Sequence, residues 1–257
     1  MGRHEIVNEL IKAPIRNTFR RFGYAAVDLR KDVATGMLLP GHVKRTLEEL
    51  SVNCAVDAGA NQGDYSAMLR RIGYRGLIVS VEPLRDLCEV LAKRAAGDAT
   101  WKVFNCALGD GDEIKQFNVC KAPNLSSFLK PAKDMEDAVA NSDIARTEIV
   151  HVRRLDRILS EVVREIPAPR IFLKMDTQGY DLRVMEGAAA IVPLIVAIQS
   201  ELSVVPLYRD MPDYIEALAY FRKLGFAPTG FFGVVGHRKT GRTLEFDAVL
   251  VRGDAGS

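Results

Sequence analysis

From Val52 onward, short apolar runs bounded by turn residues alternate with longer stretches of helical periodicity. This alternation is typical of βαβ units around a parallel sheet. The predicted strands are Cys54–Asp57, Leu77–Glu82, Trp101–Ala107, Ile171–Asp176, Ile195–Leu202, Phe226–Val235 and Glu245–Val251. The predicted helices lie near Tyr65–Ile72, Leu84–Ala95, Leu155–Val163, Leu182–Ile191 and Met211–Leu224. We therefore predict a doubly wound α/β fold with a mostly parallel seven-stranded sheet and an antiparallel final strand.

The length of 257 residues fits one α/β domain with a short extension. We predict an N-terminal helical extension over residues 1–45 and the main domain over residues 46–257. Basic residues are set among apolar residues in the extension with the spacing of an amphipathic helix, and this pattern is interrupted near Pro14. We expect this helix to pack on the main domain or on a second copy of the chain in a homodimer. The alternative is a role at a membrane surface or in substrate capture.

The composition indicates which kinds of partner and which cellular compartment to expect. Lysine plus arginine outnumbers aspartate plus glutamate by only 35 to 33, so no electrostatic footprint for nucleic acid is seen. The four cysteines form no CxxC pair and no zinc spacing with histidine, which predicts free thiols. No apolar run reaches about eighteen residues, and no signal peptide pattern is found. We expect a cytoplasmic protein with no transmembrane segment and no nucleic-acid partner.

The stretch from Cys120 to Arg153 interrupts the regular alternation. It contains Pro123 and Pro131, followed by an acidic helical pattern at 134–140. Insertions this long between core strands are usually functional. We predict that this one is a substrate lid.

A glycine-containing loop follows the first predicted strand, with the sequence VDAGANQGD at 56–64. Open α/β sheets bind ligands at such strand ends, where glycines let the backbone approach closely. The GxxxG spacing differs from the GxGxxG of dinucleotide sites, and Asp57 would attract an ammonium but repel a phosphate. This favours S-adenosylmethionine over NAD, with a turn of another purpose as the alternative. The predicted cofactor-binding residues here are Asp57, Gly59, Ala60, Asn61 and Gly63.

An acid, Glu82, follows the second predicted strand, about twenty residues after the loop, where a carboxylate can accept both ribose hydroxyls of an adenosine. The alternative for Glu82 is an acid favoured by a helix dipole. At the end of the third strand, Asn105 either hydrogen-bonds the base or caps the turn. The cofactor-binding set on these strands is Glu82, Pro83, Asn105 and Ala107.

The segment LKMDTQGYD at 173–181 is a predicted strand that runs into a polar turn and a helix. Side chains alternate along a strand, so Lys174 and Asp176 project to the same side. Glu201 ends the next strand and brings a second carboxylate to the same rim, unless it is simply an exposed strand-end acid. Asp176 and Glu201 can hold a divalent cation such as Mg²⁺ that polarises an acceptor hydroxyl, or one can act as general base. Lys174, Asp176 and Glu201 are thus candidate catalytic residues.

The loop GHRKTGR at 236–242 connects the last two predicted strands. If these strands are antiparallel neighbours at the sheet edge, their connection overhangs the acceptor pocket. His237 is then a second base candidate, because its unperturbed pKa lies near working pH. The alternative is a solvated basic hairpin tip.

Four motifs, VDAGANQG, VEP, NCALGD and LKMDTQGYD, stand in this order between Val52 and Arg252 and together resemble FkbM-type methyltransferases. That family usually has KxDVEGxE at 174–181; here Thr177, Gln178 and Asp181 differ, and Gln178 removes a charge. Asp176 and Gly179 match the pattern.

This resemblance implies the class I, Rossmann-like methyltransferase fold and an S-adenosylmethionine-dependent O-methyltransferase. The implied acceptor is a small-molecule hydroxyl, most often on a sugar of a glycolipid, polysaccharide or glycosylated natural product. The resemblance also implies that Ser126, in a small polar segment after the third strand, closes over the cofactor. A non-catalytic adenosyl-binding scaffold and an NAD-dependent enzyme of similar topology are the competing hypotheses.

Overall fold

The computed structural model describes residues 38–133, 135, 139–164, 166–237 and 240–253. The chain divides into two compact units, Met1–His42 and Val43–Ser257. The predicted amphipathic helix around Pro14, with most of the predicted extension, lies outside the described residues.

The described helices are α1 (Leu39–Glu49), α2 (Asp64–Arg71), α3 (Arg85–Ala95), α4 (Leu155–Val162), α5 (Asp181–Glu186) and α6 (Tyr214–Lys223). The described strands are β1 (Cys54–Ala58), β2 (Leu77–Val81), β3 (Trp101–Phe104), β4 (Ala107–Leu108), β5 (Glu113–Cys120), β6 (Ile144–Arg153), β7 (Ile171–Met175), β8 (Ile195–Ser203), β9 (Phe226–Gly236) and β10 (Thr243–Arg252). Two 3₁₀ helices cover Pro123–Leu125 and Ala189–Leu194.

The main sheet has the strand order β3-β2-β1-β7-β8-β10-β9 within the described residues. Strands β3, β2, β1, β7 and β8 are parallel to one another, whereas β10 is antiparallel to both β8 and β9. The predicted fold class, a mostly parallel seven-stranded sheet with an antiparallel final strand, is confirmed.

The central strands β1 and β7 are mostly apolar because helices cover both faces of the sheet, and Asp57 in β1 and Lys174 in β7 are the charged exceptions. Every residue of β1 and of β7 is buried. The main core joins β1, β7 and β8 to side chains of α4 and α6, including Leu155 and Phe221. Helix α6 begins at a capping box in which Asp213 and Glu216 satisfy each other's backbone N–H groups.

The predicted strand Trp101–Ala107 is wrong in its second half. Strand β3 ends at Phe104, and Ala107 starts β4 in a separate three-stranded sheet of order β4-β6-β5. Between the two strands, the Asn105 amide is hydrogen-bonded to the turn after β2. The predicted helix Leu182–Ile191 is also too long: α5 ends at Glu186, and a 3₁₀ helix containing Pro193 follows.

The last ten residues of the predicted lid between Cys120 and Arg153 form strand β6. Strand β6 pairs antiparallel with β5 along its length and supports the small sheet. The preceding segment packs against residues after β8, with Pro131 bridged to Tyr208 and Ala132 N donating to Leu207 O. In the described part of the chain, no helix is long and apolar enough to cross a membrane.

Candidate active site

The carboxyl ends of β1, β2, β7 and β8 lie at one edge of the sheet because these strands are parallel. Asp57 lies in β1, Glu82 follows β2, Asp176 follows β7 and Glu201 lies near the end of β8. Open α/β sheets bind their ligands at this edge. The four predicted acids therefore lie at the end of the sheet where a ligand is expected.

The first loop is fixed against the turn that carries Asp176. Gly59 (φ 76°) and Gly63 (φ 84°) both have left-handed backbone. A Cβ at residue 59 would stand less than 3.0 Å from the carbonyl oxygen of Asp176, and one at residue 63 would be 2.6 Å from a leucine of α3. The N–H groups of Gly59 and Ala60 both donate to Val81 O. Close packing thus requires glycine at both positions.

Glu82 connects this loop to the end of β2. Its Oε2 accepts a hydrogen bond from Asn61 N at 2.8 Å, and its Oε1 accepts one from Leu84 N at 2.9 Å. The residue is 5% exposed, and burial raises the pKa of Glu82 to about 7. Each carboxylate oxygen keeps a second lone pair that a ligand hydroxyl can use.

Asn105 holds the turn beside Glu82. Its Nδ2 donates to the carbonyl oxygens of Glu82 at 2.9 Å and Pro83 at 3.0 Å. This geometry corresponds to turn capping, which is the second of the two roles predicted for Asn105. The capped turn in turn fixes the backbone that presents the Glu82 carboxylate.

The last two predicted cofactor residues contact the small sheet and the turn after it. Ala107 is buried in the apolar cluster of β4, β5 and β6. Ser126 Oγ accepts a hydrogen bond from Cys120 N at 3.1 Å. The neighbouring Ser127, rather than Ser126, contacts the turn after β7, because its Oγ donates to Gln178 O at 2.8 Å.

Lys174 in β7 forms ion pairs with Asp57 in the neighbouring strand β1 and with Asp176, which follows β7. Its Nζ lies 3.2 Å from Asp57 Oδ1 and 3.3 Å from Asp176 Oδ2, and the residue is 5% exposed. Burial alone would lower the pKa of Lys174, but the carboxylates of Asp176 and Asp57 outweigh burial and raise it. Lys174 is therefore an ammonium that holds two acids together.

Asp57 is completely buried, and its predicted contact with a cofactor ammonium stays a prediction. Its Oδ2 accepts a hydrogen bond from Ser66 Oγ at 2.7 Å. Among the described side chains, Asp57 Oδ1 is a buried atom without a hydrogen bond, although Lys174 Nζ is at ion-pair distance. The cation beside Asp57 is Lys174, which lies opposite it on the neighbouring strand β7.

A chain of buried hydroxyls lies behind Asp57, and sequence reasoning does not find it. Ser66 Oγ is 2.8 Å from Ser80 Oγ, to which Trp101 Nε1 donates at 2.9 Å. The available signal is Ser80 itself, a polar residue inside the otherwise apolar strand β2. Buried polar groups of this kind are normally hydrogen-bonded to each other.

Gln178 bridges the two candidate acids. Its Nε2 donates to Asp176 Oδ1 at 2.8 Å and to Glu201 Oε2 at 2.9 Å. On its other side, Gln178 Oε1 accepts a hydrogen bond from Tyr208 Oη at 2.7 Å. Sequence reasoning treats Gln178 only as a lost charge and does not single out Tyr208. Because the two residues are 30 positions apart, no local sequence pattern indicates that they are in contact.

The two acids beside Gln178 have opposite pKa shifts. Burial would raise the pKa of Asp176, but the charge of Lys174 and the hydrogen bond from Gln178 outweigh it and lower the pKa. Burial, followed by the charge of Asp176, raises the pKa of Glu201 well above its usual value. Within this pair, Asp176 is therefore shifted toward the carboxylate and Glu201 toward the protonated acid.

A magnesium ion does not fit between Asp176 and Glu201 as they are arranged. The N–H groups of Gln178 point at both acids, where a cation would need oxygen lone pairs. Across the described residues, no group of three or more His, Cys, Asp or Glu side chains is placed to hold a metal ion. The predicted metal pair is therefore not present as a ready cation site.

Further acids from β10 lie beside Glu201 at this edge. Asp247 is directly opposite Glu201 in the antiparallel pair of β8 and β10. Asp247 accepts a hydrogen bond from Gln199 Nε2 at 2.9 Å, and Glu245 accepts one from Ser203 Oγ at 2.8 Å. Burial raises the pKa of Asp247 to about 6 and that of Glu245 to about 7. Sequence reasoning does not identify these two acids.

His237 lies just after β9, at the turn into β10. Strand β9 runs parallel to β8, since both are antiparallel to β10, so this turn is at the same edge as Asp176. His237 N donates to Arg242 O at 2.8 Å, and its Nδ1 accepts a hydrogen bond from Thr240 N at 3.3 Å. Residues 238 and 239 of the predicted loop lie outside the described residues.

Solved structures of low identity resemble this chain. Magnesium protoporphyrin IX methyltransferase from Synechocystis PCC 6803 is 11% identical with a TM-score of 0.44, covering 94% of this chain and 96% of that one. An rRNA methylase from Streptococcus thermophilus is 12% identical with a TM-score of 0.42, covering 81% and 94%. Precorrin-6y C5,15-methyltransferase from Geobacter metallireducens GS-15 is 10% identical with a TM-score of 0.42, covering 84% and 90%. Likenesses this weak say nothing about what this chain acts on.

No curated protein gives a significant match to the chain. The profile of the Methyltransferase FkbM domain matches residues 57–228, which include the first loop, Glu82, Asp176 and Glu201. This match spans more than half of the sequence and agrees with the class I strand order of the main sheet. The chain belongs to the FkbM family of S-adenosylmethionine-dependent methyltransferases.

Proposed function

We propose that the protein transfers a methyl group from S-adenosylmethionine to a hydroxyl of a small molecule, and that this small molecule is a sugar. The observation that carries this proposal is Asp176, an ionised carboxylate with 36% of its side chain exposed at the carboxyl end of β7. Lys174 and Gln178 hold it from behind. An anion fixed in this way is suited to accept a hydrogen bond from a hydroxyl and to orient its oxygen.

The residues at the edge fit the cofactor. Glu82 keeps lone pairs for the ribose hydroxyls, and the loop from Gly59 to Gly63 brings backbone close to the same place. The Asp57 oxygen without a hydrogen bond is a buried negative group near the expected amino-acid end. When bound, S-adenosylmethionine supplies an electrophilic methyl group. The protein's own part is to align the acceptor and to receive its proton.

Three side chains divide this work in the proposed mechanism. Asp176 accepts the hydrogen bond of the acceptor hydroxyl and takes its proton as the oxygen is methylated. Lys174 stays protonated, so it stabilises Asp176 and does not serve as a base. The raised pKa of Glu201 favours its protonated form, which limits the negative charge next to Asp176. Methyl transfer is an in-line displacement at carbon, so the acceptor oxygen must also be aligned with the methyl group of the cofactor.

A groove beside the site supports a polyhydroxylated acceptor. A cavity of about 940 Å³ extends from Gly179 and Tyr180 along α5 to the start of α6. Its charged lining residues are Asp110, Asp112, Glu113, Lys115, Arg183, Glu186, Asp210 and Glu216. Six acids against two bases favour an acceptor that donates hydrogen bonds and disfavour an anionic one. A neutral sugar or an amino sugar meets this requirement.

We also propose that the protein works in the cytoplasm. All four cysteines, Cys54, Cys88, Cys106 and Cys120, are buried free thiols. Free buried thiols are typical of a reducing compartment.

The function is tested in two steps. Mass spectrometry of ligand released from the purified protein is expected to detect S-adenosylmethionine or S-adenosylhomocysteine. A screen of mono- and oligosaccharides with labelled methyl donor is then expected to yield an acid-stable O-methyl ether, absent with Asp176→Asn. Cofactor binding without transfer to any hydroxyl acceptor would favour the scaffold hypothesis. Label on nitrogen or carbon would overturn O-methylation.

A further inference from the structure

The amide of Gln178 lies where a bridging group between Asp176 and Glu201 would be expected. Its Nε2 is 2.8 Å from Asp176 Oδ1 and 2.9 Å from Glu201 Oε2. We propose that Gln178 is a positioning residue that replaces a divalent cation at this site, so that methyl transfer by this enzyme needs no metal. The statement about catalysis rests on the proposed function, whereas the statement about cation binding does not.

The orientation of the amide follows from its surroundings. Both groups on the Nε2 side are carboxyl oxygens, and an ionised acid such as Asp176 requires a donor. The two N–H groups of one amide nitrogen satisfy both acids at once. On the opposite side, the Tyr208 hydroxyl is 2.7 Å from Oε1, and Tyr208 is almost completely buried. The bridge is therefore held from both ends.

The backbone of Gln178 is also held in an uncommon conformation. Its φ of 53° is left-handed, which non-glycine residues rarely adopt. The carbonyl oxygen of Gln178 accepts a hydrogen bond from Ser127 Oγ at 2.8 Å, and Gly179 follows with a φ of 86°. Such conformations persist where surrounding contacts fix them, and they are frequent at functional sites. These contacts keep the amide between the two acids.

An amide in this position excludes a cation, whereas a carboxylate would attract one. Magnesium and manganese need several oxygen lone pairs directed at one point. The N–H groups of Gln178 bring partial positive charge to that point and occupy a lone pair on each acid. With Gln178→Glu, the amide nitrogen becomes an oxygen, and three carboxylates converge. The described residues of the wild-type chain contain no such group of three.

The decisive experiment titrates Mn²⁺ alone into the wild-type protein and two charge-matched variants. Gln178→Glu adds a carboxylate at the bridge, and Gln116→Glu adds one at an exposed position on β5. We expect at least tenfold tighter Mn²⁺ binding and a raised melting temperature for Gln178→Glu only. One-to-one Mn²⁺ binding by the wild type at micromolar concentration would overturn the proposal. So would equal Mn²⁺ affinity of the two variants.

A second arm measures methyl transfer and remains informative if Gln178→Glu does not fold. Wild-type turnover is expected to be unchanged by a chelator. Gln178→Ala is expected to lower kcat at least tenfold while its affinity for S-adenosylhomocysteine stays within about twofold of the wild type. Loss of wild-type activity in chelator with recovery in magnesium would overturn the proposal. Normal kcat in Gln178→Ala would remove its positioning role. Absence of any wild-type methyl transfer would instead refute the proposed function, leaving the Mn²⁺ result unaffected.

Discussion

Lys174 Nζ lies 3.2 Å from the fully buried carboxylate of Asp57, an ion pair between neighbouring strands β7 and β1. The same ammonium is 3.3 Å from Asp176 Oδ2. One buried cation therefore links the strand that leads into the first loop with the acid that is proposed to meet the acceptor. Removing one partner of such a group leaves a buried charge uncompensated, which is usually more costly than the pair itself is stabilising.

Asp176→Asn is expected to lower turnover at least about a hundredfold, as loss of a general base typically does. The change keeps the shape of the side chain but removes its negative charge beside Lys174. Steady-state kinetics and calorimetry with S-adenosylhomocysteine measure this, and cofactor affinity should change little. Asp143→Asn, at an exposed ion pair with Lys121, is the matched control. Near-normal turnover would remove Asp176 from the mechanism.

Glu82→Ala is expected to weaken S-adenosylhomocysteine binding by about 1–3 kcal/mol, the range for a hydrogen bond to a charged group. The variant also loses the acceptors for Asn61 N and Leu84 N, so the melting temperature should fall as well. Calorimetry on Glu82→Gln, which keeps one acceptor oxygen, separates the two effects. The exposed Glu89→Ala is the control, and NAD should not bind to any of these proteins. Unchanged affinity in both Glu82 variants would refute the ribose assignment.

Gly59→Ala is expected to destabilise the fold by roughly 1–3 kcal/mol or more, because it combines backbone strain with a steric clash. The new Cβ would stand less than 3.0 Å from the carbonyl oxygen of Asp176. Two control variants separate backbone strain from the steric clash. At Gly73 the φ is positive, but a new Cβ would meet none of the described residues within 4 Å. At Gly97 the φ is not in the left-handed region, and a new Cβ would again meet none of the described residues within 4 Å. Denaturant unfolding should rank the losses Gly59 > Gly73 > Gly97. Equal losses at Gly59 and Gly73 would contradict the predicted clash.

The free energy of unfolding is expected to fall as the pH rises from about 4.5 to about 7. Burial raises the pKa values of Glu82 and Glu245 to about 7 and that of Asp247 to about 6. Folding therefore favours the protonated acids, and this stability is present at low pH and lost as the pH passes the folded-state pKa values. Glu245→Gln should reduce the decline by roughly 1–3 kcal/mol, measured by denaturant unfolding at several pH values.

The control for this pH dependence is Glu89→Gln on the exposed face of α3, which should leave the slope unchanged. At still lower pH the sign reverses, because ion pairing with Lys174 lowers the pKa of Asp176 against the effect of burial. Stability from that acid is lost as the pH falls below about 4. A stability that rises steadily from pH 4.5 to 7 would contradict the predicted burial of these acids.

Replacement of residues 237–239 by Gly-Ser-Gly is expected to raise the acceptor KM or lower turnover, with cofactor affinity intact. The reason is the position of the turn after β9, at the same sheet edge as Asp176. Steady-state kinetics with a responsive acceptor and calorimetry with S-adenosylhomocysteine provide the measurement. If this variant has wild-type kinetics, the loop is only a solvated turn. A large loss of cofactor binding would mean that the loop lies over the wrong half of the edge.

The sequence by itself determined the fold class, the position of the glycine loop and the placement of Glu82, Asp176 and Glu201 at strand ends. Each of these follows from local periodicity and from the rule that parallel strands end at one edge. The family assignment also follows from sequence, since the order of four short motifs is far more specific than any single motif. Each motif or strand end is a local pattern of a few residues, so it can be identified without knowledge of the folded contacts.

Only the tertiary structure decided which of these side chains meet, because that depends on contacts between residues distant in sequence. Asp57 pairs with Lys174 across 117 positions, and Tyr208 fixes Gln178 between the two acids from 30 residues away. These contacts shift the pKa values: the charge of Lys174 and the hydrogen bond from Gln178 lower the pKa of Asp176 against the effect of burial, whereas burial raises that of Glu201. No local pattern specifies the dielectric around a side chain or its partner on another strand. The chemistry of the edge is for that reason a property of the packed sheet.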